Sequence, residues 1–272
     1  MSAALEYPEL PEAARPRWPA WMGPVAMFAS IGALILISIP TLPLLVLILE
    51  DGSIGALALL VLLLVQDLTF VGGALVFAAM RRPPRPWQFG MRSTPLWRTV
   101  GWTVLGAALM LGFEIGYAEL IDIDESNVEE LAGENLVAQL AVCLGVIVVA
   151  PTTEEFFFRG FFYRALRSRF RIWSASLMNG VLFGSLHFQG VESAEILPVI
   201  AVFGIGVCLV YEKTQSLFAV VAIHAAFNTF AMLGAGGSAW VPLLVGLAVL
   251  AACLLAPRAI GPGPTPFPVP AR

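Results

Sequence analysis

Glu154, Glu155 and Arg159 stand within one strongly apolar run, in the string EEFFFRG. An ionisable side chain inside a membrane-spanning helix costs at least about 2.5–3.5 kcal/mol unless it is paired or meets water. Glu155 and Arg159 are four apart, share a helix face and can pair. Glu154 is turned about 100° away from Glu155 and projects elsewhere. A salt bridge at a helix end would account for Arg159 and one acid, and it leaves the second acid unmatched. The two histidines of the chain also fall in apolar runs. His187 closes the string FGSLH, and His224 opens HAAFN, which puts Asn228 one helical turn further along the same face.

A carboxylate and an imidazole can together take a proton from water. An amide and a second imidazole can donate hydrogen bonds to the oxyanion of a tetrahedral intermediate. Glu154, His187, His224 and Asn228 therefore suit hydrolysis of a carbonyl bond by activated water. Two imidazoles and a carboxylate are equally a ligand set for catalytic zinc, so the residue types fit both metal-bound and metal-free water. Other designs fit less well. An HExxH zinc site needs histidines four apart, whereas these two are 37 apart. Asp67 is the only aspartate clearly inside an apolar run, so an aspartyl pair is missing. Ser185 and His187, two apart on a helix, point in different directions. Asp67, in the second run, and Glu114, near the end of the third, have no sequence partner and are expected to pair with neighbouring helices.

These groups need apolar helices to position them, and the composition supplies little else. Of 272 residues, 58% are hydrophobic and 12% charged, and mean hydropathy is +0.85. Soluble domains carry about twice that charge, so the chain reads as a polytopic membrane protein of fold class all-α. The net charge of −4 gives no general attraction to a phosphate backbone and argues against a nucleic-acid partner. Cys143, Cys208 and Cys253 lie far apart in apolar runs, without the spacing of a disulfide framework or a thiolate metal site.

A spanning helix needs about 20 apolar residues. Eight runs qualify or nearly so: Trp21–Leu49, Ile54–Met80, Thr99–Ala118, Leu136–Tyr163, Trp173–Phe188, Ile196–Tyr211, Leu217–Gly234 and Ala239–Ala256. Pro40 and Pro43 are expected to kink the first or end it early. On this eight-span reading, 14 of the 15 basic residues fall on one side, and Arg159 is the remaining one. The opposite loops hold Glu50, Asp51, seven acids from Glu119 to Glu134, Glu192 and Glu195. The positive-inside rule then puts both termini in the cytoplasm. Residues 1–20 form a Pro-rich cytoplasmic arm, 21–256 the bundle and 257–272 a disordered Gly/Pro-rich tail. The arm carries Glu6, Glu9 and Glu12 rather than a basic signal-peptide region, and the tail ends in no CaaX box. Helix lengths place His224 about 10 Å and His187 about 21 Å from the basic side, a mismatch that shifted helix boundaries would remove.

EEFFFRG, FGSLH and HAAFN, in that order on successive spans, resemble the three motifs of the CPBP family: EExxxR, FxxxH and HxxxN. This family comprises the CAAX proteases and bacteriocin-processing (Abi) membrane proteins, and it includes the type II CAAX prenyl endopeptidases. The motifs cover about Leu136–Gly234. The resemblance implies an intramembrane endopeptidase that cuts a membrane-anchored protein or peptide near its C-terminus, in a bacterial-type plasma membrane. It implies that Glu154 and His187 activate water, that His224 and Asn228 form the oxyanion site, and that Arg159 holds the glutamate pair through Glu155. Zinc is the cofactor it brings into question, because the family is called metallo-type. Two other functions are compatible with a polar membrane core: a non-catalytic immunity or partner-binding protein of the same family, and a proton- or ion-coupled transporter. No internal repeat of the transporter kind is visible.

Overall fold

The computed structural model describes residues 18–48, 56–121, 135–188, 190, 194–235 and 237–260. Most of the N-terminal arm, most of the acidic outer loops and residues 261–272 of the tail lie outside the described residues. Within them the chain is all helical: α1 Met22–Ile48, α2 Ala56–Ala79, α3 Leu96–Ala118, α4 Leu136–Arg167, α5 Ile172–Ser185, α6 Leu197–Thr214, α7 Leu217–Gly234 and α8 Trp240–Ile260. A short 3₁₀ turn, Pro86–Phe89, precedes α3.

Seven of these helices are long and apolar enough to cross a membrane. The eighth expected span is the exception. α5 has 14 residues, about 21 Å of helix against a hydrocarbon core of about 30 Å. The apolar run continues to Phe188, but the backbone leaves the helix at Leu186 and turns through His187. α1 does not end at Pro40 or Pro43 but continues to Ile48. Proline is tolerated in membrane helices where local adjustments satisfy the freed carbonyls.

α5 and α6 run antiparallel at backbone contact distance, and glycine makes this possible. A Cβ on Gly204 would sit 2.8 Å from the Gly180 Cα, and one on Gly184 would sit 3.0 Å from Ala201. Small residues let membrane helices approach closely where lipid offers no hydrophobic drive to associate. α4 is wound irregularly. Two π-helical stretches, Leu144–Val149 and Phe156–Tyr163, flank a short α-helical segment, Ala150–Glu155. Pro151 lacks an N–H for the ladder, and the first wide turn lies immediately before it.

The core is formed by α4, α6 and α7. Half of the α6 and α7 spans is buried against 6% of the α3 span, so α3 faces outward. Exposed Trp21, Trp97 and Trp173 sit at the arginine-rich ends of α1, α3 and α5, and Trp240 sits at the opposite end, beginning α8. This is where amphipathic aromatics mark membrane–water boundaries.

Candidate active site

The second π-helical stretch buries all eight of its residues. It carries Arg159 inward, where the guanidinium Nη1 donates to Glu155 Oε1 at 2.7 Å with both side chains fully buried. Arg159 Nη2 donates to the Gly204 carbonyl at 3.1 Å, and its Cζ lies 4.5 Å from the centre of the Phe183 ring. Ion pairing, a carbonyl and an aromatic face together replace the water that this cation has lost.

His224, from the middle of α7, completes the buried layer. Its Nδ1 lies 2.8 Å from Glu155 Oε1. Glu155 also accepts from a guanidinium and is therefore a carboxylate, so Nδ1 carries the proton and donates. The other ring nitrogen, Nε2, faces Glu154 Oε2 at 3.9 Å. That gap is too long for a direct hydrogen bond and wide enough for an oxygen atom hydrogen-bonded to both. Glu154 Oε2 has no hydrogen-bond partner among the described residues. The Glu154 side chain is 18% exposed, whereas that of Glu155 is 0%. One acid is locked into the protein, and its neighbour is presented.

His187 and Asn228 stand further out. The ring of His187 packs on Phe183, centroids 4.8 Å apart, and its Nδ1 donates to the Phe183 carbonyl at 2.8 Å. That bond fixes the tautomer and leaves Nε2 as an acceptor. Phe183 also packs edge-on against His224 at 5.9 Å, so both imidazoles contact one ring. Asn228 Nδ2 donates to the Val146 carbonyl, in the first π-helical stretch, at 2.7 Å. No hydrogen bond or ion pair joins His187 or Asn228 to Glu154 among the described residues. The structure thus brings Glu154, Glu155, Arg159 and His224 into one contiguous cluster and leaves His187 and Asn228 at its edge.

Asp67 belongs with the cluster. Its carboxyl, 3% exposed on α2, faces the Thr153 hydroxyl and lies within electrostatic reach of His224 and Glu154. Its Oδ2 has no hydrogen-bond partner among the described residues, and the Thr153 hydroxyl beside it donates to the Val149 carbonyl at 2.7 Å. Glu114 Oε2 has no hydrogen-bond partner among the described residues.

A second polar assembly lies at the basic ends of the helices. Arg167 makes a two-bond pair with Glu212, at 2.9 and 3.1 Å, and Tyr163 donates to the same carboxylate at 3.0 Å. Arg92 and Arg164 both donate to Gln215 Oε1 at 3.1 Å, and Arg164 also bonds the Tyr211 hydroxyl. Sequence reasoning counted these arginines as loop charges, yet all three are buried. Their partners lie 45–123 positions away, and no local signal marked them.

Among the described residues no three His, Cys, Asp or Glu side chains form a group that could hold a metal ion. Glu155 and His224 Nδ1 are already joined to each other. The residues present do not assemble a zinc set, so no chemical step below passes through a metal. The three cysteines are free.

These features define a helical membrane protein with an acid–imidazole–arginine centre in its core. Residues 136–230, which contain all seven motif residues, match the family described as type II CAAX prenyl endopeptidase, Rce1-like. The match supports the likeness of this segment to the CAAX/CPBP intramembrane proteases, the family its motifs resemble. The comparisons with curated proteins and with solved structures gave no match.

Proposed function

We propose that the protein is a glutamate-dependent intramembrane endopeptidase that hydrolyses a peptide bond near the C-terminus of a membrane-anchored protein or peptide. The observation that carries this reading is the presented Glu154 beside the locked Glu155–Arg159–His224 chain, inside a segment matching a protease family. The orientation with both termini cytoplasmic, drawn from the basic loops, puts this centre toward the inner leaflet of a bacterial-type plasma membrane.

In the reaction, Glu154 accepts a proton from water as the water oxygen bonds to the scissile carbonyl carbon. His187, whose Nε2 is left as an acceptor, orients that water. The carbonyl electrons move onto oxygen, and Asn228 and His224 donate to it. Asn228 has a second amide N–H beyond the one given to Val146. His224 can donate from Nε2 only when protonated there in addition to Nδ1. Collapse of the intermediate breaks the C–N bond as Glu154 returns its proton to the leaving nitrogen, giving a carboxylic acid and an amine, which become carboxylate and ammonium by proton exchange. A positioned base contributes about 10²–10⁴-fold.

The test is cleavage of a membrane-anchored peptide by purified Glu154→Ala and His224→Ala proteins that retain their fold. Both are expected to lose turnover, and undiminished cleavage by both would refute the proposal. Retention of the cellular phenotype by Glu154→Gln would instead favour a non-catalytic binding role.

A further inference from the structure

One cavity lies apart from the candidate active site. α3 and α8 each pack on α7 but scarcely on each other, and the gap between them is a cavity of about 350 Å³. That volume is within the range of small-ligand sites, about 300–1,000 Å³. Ala222 on α7 lines the cavity. Two positions separate it from His224, which puts the two side chains about 160° apart around the helix. The cavity is therefore behind the helix that carries His224, separate from the cluster around Glu154.

The lining changes character along the helices. Thr94, Thr99 and Arg258 stand toward the basic end, and Val104, Ala222 and Leu250 stand deeper in the bundle. From Leu96 to Val104 on α3, and from Leu250 to Arg258 on α8, it runs about 12 Å. Val104 and Leu254 are exposed, so the cavity opens sideways toward the hydrocarbon around the bundle. Exposed Trp97, at the start of α3, sets the polar end at the membrane–water boundary. No carboxylate lines the cavity or pairs with Arg258 among the described residues. The Thr94 and Thr99 hydroxyls bond each other at 2.8 Å, which uses one of their two hydrogens and leaves the other to donate. An apolar slot that ends in a cation and hydroxyls at the boundary has the polarity of an amphiphile with an anionic head. We propose that the cavity holds one acyl chain of an anionic glycerophospholipid, with its phosphate at Arg258 and the Thr94–Thr99 pair. The proposal does not depend on the reading of Glu154 as the base.

The test is photolabelling of the full chain in phosphatidylcholine nanodiscs by a trace of phosphatidylglycerol that carries a diazirine in one acyl chain. Peptide mapping should place the label on Ala219 or Ala222, on the wall that α7 contributes. Unlabelled phosphatidylglycerol in the disc should displace it, and zwitterionic phosphatidylethanolamine should not. Arg258→Gln should raise the phosphatidylglycerol needed for half displacement about fivefold, the effect of one basic residue at an anionic surface. Ala222→Phe fills the cavity and should abolish the label on α7. Equal displacement by the two lipids would overturn the proposal, as would labelling of α7 that neither variant changes. Should Ala222→Phe not fold, Arg258→Gln decides alone, since its side chain is exposed; an unmoved displacement curve there refutes the proposal. Displacement by S-geranylgeranylcysteine at lower concentration than by phosphatidylglycerol would assign the cavity to an isoprenoid chain and would also overturn it.

Discussion

At the residue scale, the adjacent glutamates should behave as opposites. Glu155→Gln strips the buried Arg159 of its counter-ion, and breaking a buried pair in this way costs about 3–5 kcal/mol. Glu154→Gln touches a partly exposed carboxyl with an unpartnered oxygen. Thermal unfolding in detergent should therefore show Glu155→Gln strongly destabilised and Glu154→Gln near wild type but inactive. His224→Asn separates the two ring nitrogens, since the Asn amide can still donate to Glu155 from near the Nδ1 position while nothing replaces Nε2. We expect a folded protein whose kcat falls about 10²–10³-fold, the loss typical of one oxyanion donor. Chelators should leave cleavage unchanged, because no metal-holding group is assembled among the described residues. The cluster was legible in the sequence because Glu154, Glu155, Arg159 and both histidines stand in runs that otherwise exclude such groups. Asp67 was seen but not placed, since its neighbours Thr153 and Glu154 are on another helix and spacing along the chain says nothing of them.

At the element scale, the glycine seam between α5 and α6 sets where Phe183, His187 and Gly204 stand. Gly180→Val would drive a side chain to within 2.6 Å of the Ile205 backbone nitrogen and 2.7 Å of the Ala201 carbonyl. Overpacking of this kind costs about 1–3 kcal/mol, and here it also displaces the helix that leads into the turn at His187. Unfolding midpoint and cleavage rate should fall together, unlike the split expected for Glu154→Gln. The short α5 and the π-helical windings of α4 were not legible. Hydropathy carries the apolar run on to Phe188, whereas the turn at Leu186–His187 is fixed by the Phe183 and Gly184 carbonyls that accept from His187 Nδ1 and its backbone N–H. The wide turns depend on distant side chains as well: Asn228 takes the Val146 carbonyl and Asn179 the Phe158 carbonyl.

At the scale of the whole molecule, the even number of helical passes survives the shortening of α5, because α5 and α6 still form an antiparallel pair. In a cysteine-free background, cysteines introduced at Arg82 and Gly190 should differ toward a membrane-impermeant maleimide. In intact spheroplasts Gly190→Cys should react and Arg82→Cys should not; the reverse would invert the proposed orientation. The arginine assembly gives the bundle a mechanical polarity. At the basic end, Arg92, Arg164, Tyr211, Glu212 and Gln215 cross-tie the segment before α3 to α4, α6 and α7. The two-residue link between α6 and α7 adds a backbone bond from Leu217 N–H to the Gly90 carbonyl at 2.9 Å. These described ties clamp the bundle at its basic end, so amide hydrogen exchange should be slowest around 163–167 and 211–217. The clamped ends would then serve as the fixed jaw against which a long substrate is cut.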